Sequence, residues 1–510
     1  MSTRRPLLCS GAPLLLAALV SAGAAGPLAA QVGYRATVDL DMQTVAFRGW
    51  TLDSVPAAQV SPGPTGGPLT SSGYAATCPS VSTFCFFYRP GDRQTTAPVG
   101  GSVALTVWGL GVPGLSLHGN ARVLLNAGNV DWAGTDPTFQ FWEGYAEYER
   151  SALDFRVGRQ IFRSRLGSAG FDGVQGTLRA RGSGLAATGY FGFGLAQSAS
   201  VPITSDVVNP LGEFRPPERN WIMGAVGAWS TAASDLRVEW QREVDRASAK
   251  LASERLAGSG TLRPARNWAL TGGAEYNLAE GVWGSADASL HYTDDVVGAS
   301  FGYRRYRPFF DLWSIWAAFS PVAYNAVLGS ASITPVAGVQ LRGRAEYYKY
   351  EAADAPSPLV SVENDGSRWS AGIRVTRLRG WAFDLGYDLD KGVGARGDGW
   401  DASVRWTPTP RMALQAFGST LDRPLELRFD DARVRWVGLD LDFRVRPDFS
   451  FGLGGLYVHE DRQRPDAAAF DWNQARITAR VRYVIGSRGA DRLGLPRAVE
   501  RMPSVTGSGR

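Results

Sequence analysis

The sequence contains few of the features that mark helical membrane proteins and metalloenzymes. Beyond residue 30 no run of about 18 apolar residues occurs, which is the length that a membrane-spanning helix needs. Histidine and cysteine number three each among 510 residues. The sequence has no C-x-x-C-H motif, nucleophile elbow, phosphate-binding loop or EF-hand loop. We therefore expect neither enzymatic activity nor a bound cofactor or metal.

The charge of the chain gives no indication of a nucleic-acid partner. The sequence has 53 Lys and Arg residues against 48 Asp and Glu residues. Both signs are spread along its whole length, without the basic block or acidic tail that an interaction arm would show. We therefore expect no binding of nucleic acid.

The N-terminus resembles a secretory signal peptide. Arg4 and Arg5 precede a short apolar segment at residues 13–20, and small residues follow that segment. The apolar segment is too short to span a bilayer by itself. We predict a signal peptide over residues 1–30, cleaved before Gln31, and hence an exported protein.

The rest of the chain is dominated by alternation of apolar and polar residues. In the stretch SDLRVEWQREVD, Leu236 and Val238 alternate with charged residues. This stretch alone also fits a helix, because Leu236, Trp240 and Val244 recur at helical spacing. The same period-two pattern returns without ambiguity in VGLDLDFRVR, residues 437–446, and in several other segments bounded by turn residues. Period-two runs rich in β-branched and aromatic residues predict β-strands.

The predicted strands are joined by connections of two kinds. Short turns such as Val112–Gly114 and Thr407–Arg411 tend to alternate with longer connections such as residues 51–98, 197–218 and 460–471. Strands of about ten residues with this rhythm are typical of a transmembrane β-barrel, whose apolar face contacts lipid and whose polar face lines a wet interior. A soluble β-sandwich or propeller is the alternative, and it would bury the apolar face instead.

We predict an all-β fold, a transmembrane antiparallel β-barrel of about 18–22 strands over residues 31–486. Its short turns would lie in the periplasm and its long loops outside the cell. Residues 487–510 would form a disordered C-terminal tail. The predicted location is the outer membrane of a diderm bacterium, with outer-membrane lipid as a partner.

Two cysteines remain after removal of the signal peptide. Cys78 and Cys85 enclose the short segment CPSVSTFC within the first long connection. Because an exported protein reaches an oxidising compartment, we predict a disulfide between them.

The predicted inward face carries charged residues of both signs. Such residues line a water-filled pore and select permeants, or they pair across strands as structural struts. His118, which lies on the polar face with Ser116, is expected to be a solvated interior residue. The pore-lining candidates that follow from the alternation are Glu143, Glu147, Arg156, Arg179, Arg181, Arg342, Arg344, Arg374, Asp440 and Arg480.

One segment resembles known outer-membrane proteins. RVGRQIFRSRLGSAGFDGVQGTLRA, Arg156 to Ala180, is similar to a segment of several porin families, the alginate-export channels among them. There a strand ends in G-R-Q, and the next strand opens with a D-G-V-like step after a loop. The resemblance implies a diffusion channel for anionic or polar solutes, with Arg159 and Asp172 near the constriction and lining the pore. The chain departs from these families in its long C-terminal tail and in its high strand count.

These observations favour an outer-membrane channel for passive diffusion of small hydrophilic solutes. Residues 51–98 and 197–218 are long enough to fold inward and narrow such a channel. The alternative is a structural sheath around a partner protein, for example an electron-carrying haem protein, because a wide barrel without a plug would leak unless something filled it. The sequence is compatible with a homo-oligomer of such barrels.

Overall fold

The computed structural model describes residues 32–63, 67–80, 82–128, 139–195, 219–246, 248–307, 322–351, 364–392, 395–425, 431–464 and 467–487. The predicted signal peptide and connection 197–218 lie outside these residues, as does the tail beyond Ser487. In the described part the only helix is the short 3-10 turn Ala57–Gln59, and no helix is long and apolar enough to cross a membrane.

Twenty-six strands make up almost the whole of the described chain. They are β1 (Gly33–Pro56), β2 (Ser61–Pro62), β3 (Pro68–Leu69), β4 (Ala76–Thr77), β5 (Phe84–Thr96), β6 (Pro98–Trp108), β7 (Leu115–Asn126), β8 (Phe139–Arg150), β9 (Leu153–Ser164), β10 (Gly167–Arg179), β11 (Leu185–Leu195), β12 (Trp221–Ser230), β13 (Ser234–Val244), β14 (Leu251–Ala265), β15 (Trp268–Asn277), β16 (Val282–Thr293), β17 (Val297–Tyr306), β18 (Tyr324–Val336), β19 (Val339–Tyr350), β20 (Asp365–Val375), β21 (Trp381–Gly392), β22 (Ala395–Thr409), β23 (Met412–Leu425), β24 (Asp431–Arg446), β25 (Phe449–Arg464) and β26 (Ala467–Gly486).

The wall is a closed antiparallel barrel of 22 strands, made of β1 and β6 to β26. Each strand pairs with the next along the chain. The barrel closes because the first half of β1 pairs with β6 on one edge and with β26 on the other. A closed barrel leaves no wall strand with an unpaired edge, which is the condition for crossing a bilayer with strands. The prediction of an antiparallel barrel of about 18–22 strands is confirmed.

The two faces of the wall differ in chemistry. On β13, Leu236 and Val238 are exposed on the outer face, whereas Glu239 and Gln241 are buried on the inner face. This outcome settles the ambiguity of that segment in favour of a strand. The same alternation places exposed apolar side chains outside on the other strands, for example Phe301 on β17 and Ile477 on β26.

The two ends of the barrel also differ. One end, the short-turn end, holds tight turns such as residues 109–114 and 447–448, and it holds both Gly33 and Gly486. The other end, the loop end, holds the longer connections. Outward aromatic pairs lie towards both ends, with Trp268–Tyr292 and Trp381–Trp406 near the short turns and with Tyr276–Trp283 and Tyr387–Trp400 towards the loops. Aromatic belts of this kind mark the two interfaces of a bilayer.

The first long connection is more ordered than the sequence pattern predicts. The second half of β1 keeps pairing beyond the wall, with β5 instead of β6, from Val45 to Pro56. This rim hairpin, residues 45–56 and 84–96, continues the wall at the loop end. The predicted disulfide joins its Cys85 to Cys78, which follows β4, with 1.97 Å between the sulfur atoms. A hydrogen bond from Arg89 lowers the pKa of the Asp53 carboxyl on the same hairpin.

Candidate pore lining and inward hairpin

The hairpin of β9 and β10 bends into the barrel. Its turn, Arg165 and Leu166, belongs to the loop end by connectivity. Yet the backbone N–H of Arg165 donates to the Glu239 carboxylate at 3.0 Å, halfway along β13 and three strands away. The Arg165 guanidinium also forms an ion pair with Asp287, halfway along β16. Contacts across so many strands form only on the concave face, so the hairpin tip, residues 160–170, lies against the inner wall.

An apolar contact holds the base of this tip. Phe171 is fully buried, and its ring packs 5.3 Å from that of Tyr190 on β11, which in turn lies 4.6 Å from Phe162. Ile222 on β12 completes the cluster. The hydroxyl of Tyr190 donates to Gln241 at 3.3 Å, so its buried polar atom is satisfied. Burying a Phe side chain contributes about 1.5–3 kcal/mol, which offsets part of the cost of ordering the tip.

The wall beneath the tip is shaped to accept Arg165. Gly273 on β15 faces the lumen directly under the guanidinium, and a Cβ added there would lie 2.6 Å from Nη1 of Arg165. No larger residue fits without displacing the arginine. A cavity beside this contact has a mixed lining: charged side chains such as Arg237 and Asp287, small polar residues, and the apolar Ala228, Trp229 and Leu236. The tip therefore narrows the lumen from one side and leaves a recess next to it.

A buried charged cluster joins β7, β8 and β9. Glu147 is 4% exposed and accepts hydrogen bonds from Arg156, with 2.7 Å to Nε, while its second oxygen lies 2.9 Å from Nε2 of His118. Ser116 lies 2.8 Å from the same Nε2 atom. Serine and carboxylate thus share one ring nitrogen, which does not match the relay of a Ser–His–acid triad, where they use opposite nitrogens. The expectation that His118 is solvated is wrong, since its side chain is 7% exposed.

A second cluster centres on Glu346 of β19. Its carboxylate is 1% exposed and contacts Arg304 at 2.6 Å, Arg344 at 3.0 Å and Arg368 at 3.6 Å. Arg368 also stacks on Tyr348, with 4.5 Å from its guanidinium carbon to the ring centre. Arg368 also pairs with Asp390 at 3.1 Å, so three cations face two carboxylates and a small local excess of positive charge remains on this part of the inner wall.

Several predicted pore-lining residues are open to the lumen. Arg342 and Arg374 share Asp384, with donor–acceptor distances of 2.6 Å and 2.9 Å, yet their side chains stay 41% and 55% exposed. Arg480 lies 3.6 Å from both Asp440 and Asp442. These paired side chains remain accessible from the lumen, unlike the buried Glu147.

The remaining candidates divide between the wall and the turns. Glu143 is half-buried on the inner face of β8. Arg179 is 40% exposed on the inner face and lies 3.4 Å from Asp154. Arg181 is exposed in the turn after β10, where it donates to Ser151 at 2.6 Å.

Arg159 and Asp172 do not line the pore, contrary to what the resemblance implies. They are directly opposed on β9 and β10, and Arg159 donates to Asp172 at 2.7 Å and 2.9 Å. Their positions in the alternation match those of the outward Val157 and Val174. The Arg159 guanidinium also lies over the ring of Phe141, itself exposed on the outer face. The pair therefore belongs to the outer surface.

The sequence pattern did not single out Arg165, Glu239 or Asp287 as contacts of an inward tip. A signal was present, however. Phe162 and Phe171 interrupt the alternation by placing large aromatic side chains on the inward, polar face. An apolar residue in that phase needs a partner inside the barrel, which here is Tyr190.

Comparisons with known proteins show similarity of structure, without similarity of sequence. No protein-family profile and no curated protein sequence matches the chain. Among solved structures, the chain is similar to a ferric enterobactin receptor from Pseudomonas aeruginosa, with 10% identity, 88% of this chain and 80% of that chain covered, and a TM-score of 0.46. It is also similar to OccAB2 of Acinetobacter baumannii (10% identity, 89% and 98% covered, TM-score 0.37) and to a BenF-like porin of Pseudomonas fluorescens (8% identity, 89% and 99% covered, TM-score 0.39). At these values none of the three identifies the function of this chain.

Proposed function

We propose that the protein is an outer-membrane channel for passive diffusion of small hydrophilic solutes in a diderm bacterium. The observation that carries the proposal is the distribution of side chains on the closed barrel wall, which is apolar on its outer face and charged on its inner face. An apolar outer face is stable in lipid, and a charged inner face is stable in water. Both ends of the chain that the structure describes meet at the short-turn end, which we assign to the periplasm.

The inward tip gives the channel its constriction. The sequence suggested residues 51–98 and 197–218 for this role, and in this proposal the tip of β9 and β10 takes it. The exposed side chains of Arg342, Arg344 and Arg374 line the remaining lumen on the β19–β20 side. A barrel of this strand number is wide, so a tip held against one wall narrows the passage without sealing it.

Planar-bilayer recording of the purified barrel tests the proposal. We expect discrete current steps whose size is proportional to voltage, because the conductance of a fixed water-filled pore does not depend on voltage. Heat-unfolded protein at the same concentration is the control and should produce no steps. Silence from correctly folded protein would contradict the channel.

A structural sheath is the second candidate, and the width of the 22-strand wall is the observation that favours it. A sheath would hold a partner protein, such as an electron-carrying haem protein, inside the polar lumen. Purification without added partner distinguishes the two. A haem protein that stays bound through size-exclusion chromatography, together with a silent pure barrel, assigns the sheath.

A further inference from the structure

An unusual row of residues crosses the outer face of six neighbouring strands towards the loop end. Strand pairing aligns Gly144, Arg159, Asp172, Phe193, Trp221 and Val244 from β8 to β13. Arg219 precedes Trp221 by two residues, and Arg246 follows Val244 by two. Since Trp221 and Val244 are partners in an antiparallel pair, Arg219 and Arg246 lie on the same side, one step nearer the loop end.

Three guanidinium groups converge on this row, and we call them the outer arginine cluster: Arg159, Arg219 and Arg246. Two of them lie over the ring of Phe193, with 5.7 Å from the guanidinium carbon of Arg219 and 5.5 Å from that of Arg246 to the ring centre. Asp172 accepts from Arg159 and also from Arg219, at 2.6 Å. The Arg219 side chain remains 50% exposed.

The depth of the cluster explains how it is tolerated on an outer face. Phe193 stacks on Trp221 at 4.1 Å, and Trp221 also stacks on Phe191, so the cluster lies at the aromatic belt of the loop end. An outward arginine costs about 2–4 kcal/mol at the bilayer midplane but only about 0–1 kcal/mol near the interface. At that level its donors reach lipid headgroups.

Two other outward arginines at the loop end, Arg433 and Arg305, have a different charge balance. Arg433 forms two hydrogen bonds with Asp422, and Arg305 forms two with Glu351, so each cation has its own carboxylate. In the outer arginine cluster, Arg159 and Arg219 share Asp172. Arginine pairs with phosphate through two parallel hydrogen bonds, and its planar fork suits that geometry.

We propose that the outer arginine cluster binds the phosphate of a phosphorylated lipid headgroup in the outer leaflet. Asp172 positions Arg159 and Arg219, and the guanidinium groups of Arg219 and Arg246 both lie against the ring of Phe193. The proposal rests on the membrane location given under the proposed function, but it does not depend on conduction.

Native mass spectrometry of the detergent-purified barrel tests this site with diphosphoryl lipid A and its dephosphorylated form. Wild-type protein should retain the phosphorylated lipid preferentially. The double variant Arg219→Gln/Arg246→Gln should retain about tenfold less, because two charge-assisted donors are lost. Arg433→Gln is the matched control, an outward arginine at the same end, and it should retain as much as the wild type.

The outcomes separate this site from the channel itself. Equal retention of both lipids by the wild type, a comparison that needs no variant, would overturn the site even if the barrel conducts. Equal loss in Arg433→Gln would also overturn it, as a general effect of charge. Displacement of the lipid by inorganic phosphate alone would reassign the cluster to free phosphate. The double variant should conduct as the wild type does, since the cluster lies outside the lumen.

Discussion

Glu147 is almost completely removed from solvent, so its charge depends on the two side chains that touch it. Arg156 supplies hydrogen bonds to one carboxylate oxygen, and His118 contacts the other. A carboxylate buried this deeply is a structural strut that joins β7, β8 and β9, and a permeating ion does not reach it. This distinguishes it from Arg342 and Arg374, which share the inner face but stay open.

Removal of Glu147 should weaken the wall strongly. Taking one partner from a buried ion pair costs about 3–5 kcal/mol, and Arg156 is 25% exposed, so we expect Glu147→Ala to lower the free energy of unfolding by about 3 kcal/mol. Urea unfolding of the reconstituted barrel, followed by tryptophan fluorescence, measures the change. Glu149→Ala, on the exposed end of the same strand, should change stability by less than about 0.5 kcal/mol. Similar losses in both variants would show that Glu147 is not a strut.

At the scale of the strand, alternation was sufficient to predict the fold and the outward or inward phase of most residues. Val437, Leu439 and Leu441 lie outside, and Asp440 and Asp442 lie inside, as their spacing indicates. Alternation alone also fits a soluble sandwich. The pairing of β1 with both β6 and β26 decides for a closed barrel.

The error at Arg159 came from preferring the resemblance to the alternation. Leu153, Phe155 and Val157 are outward, and two further residues along the strand bring Arg159 to the same face. The bend of β9 and β10 could not be predicted in the same way. It depends on contacts with β11 to β16, and period-two spacing holds no information about tertiary partners that lie strands away.

The Arg165 contact is the distal attachment of the inward tip and should control how far the lumen is narrowed. Hydrogen bonds to charged groups contribute about 1.5–3 kcal/mol, so Arg165→Ala should raise the population of the detached tip by about tenfold or more. Single-channel recordings should show larger current noise and a higher mean conductance. Arg163→Ala, a change two residues away on the same tip, is the control. If single-channel recordings of Arg165→Ala match those of the wild type, the packing of Phe162 and Phe171 against Tyr190 is sufficient to hold the tip.

For the whole molecule, charged residues of the inner face pair across the junction where the first strand, β1, meets the last strand, β26. Asp39 of β1 and Arg482 of β26 are partners in the register and form a hydrogen bond of 2.6 Å. The neighbouring Asp41 and Arg480 are also opposed. Charged inner residues therefore serve both to join strands and to set the field of the lumen, and the balance of signs along the wall predicts weak intrinsic selectivity.

The exposed arginines of β19 and β20 should favour anions over cations in the lumen. Replacing Arg342, Arg344 and Arg374 with Gln removes three positive charges from the lumen, so the reversal potential in a potassium chloride gradient should shift towards cation preference. The shift should be larger near 0.1 M salt, where the screening length is about 10 Å, than at 1 M, where it is about 3 Å. Arg433→Gln removes a charge from the outer face and should leave the reversal potential unchanged. If the triple variant also leaves it unchanged at low salt, ions do not pass along this side of the barrel.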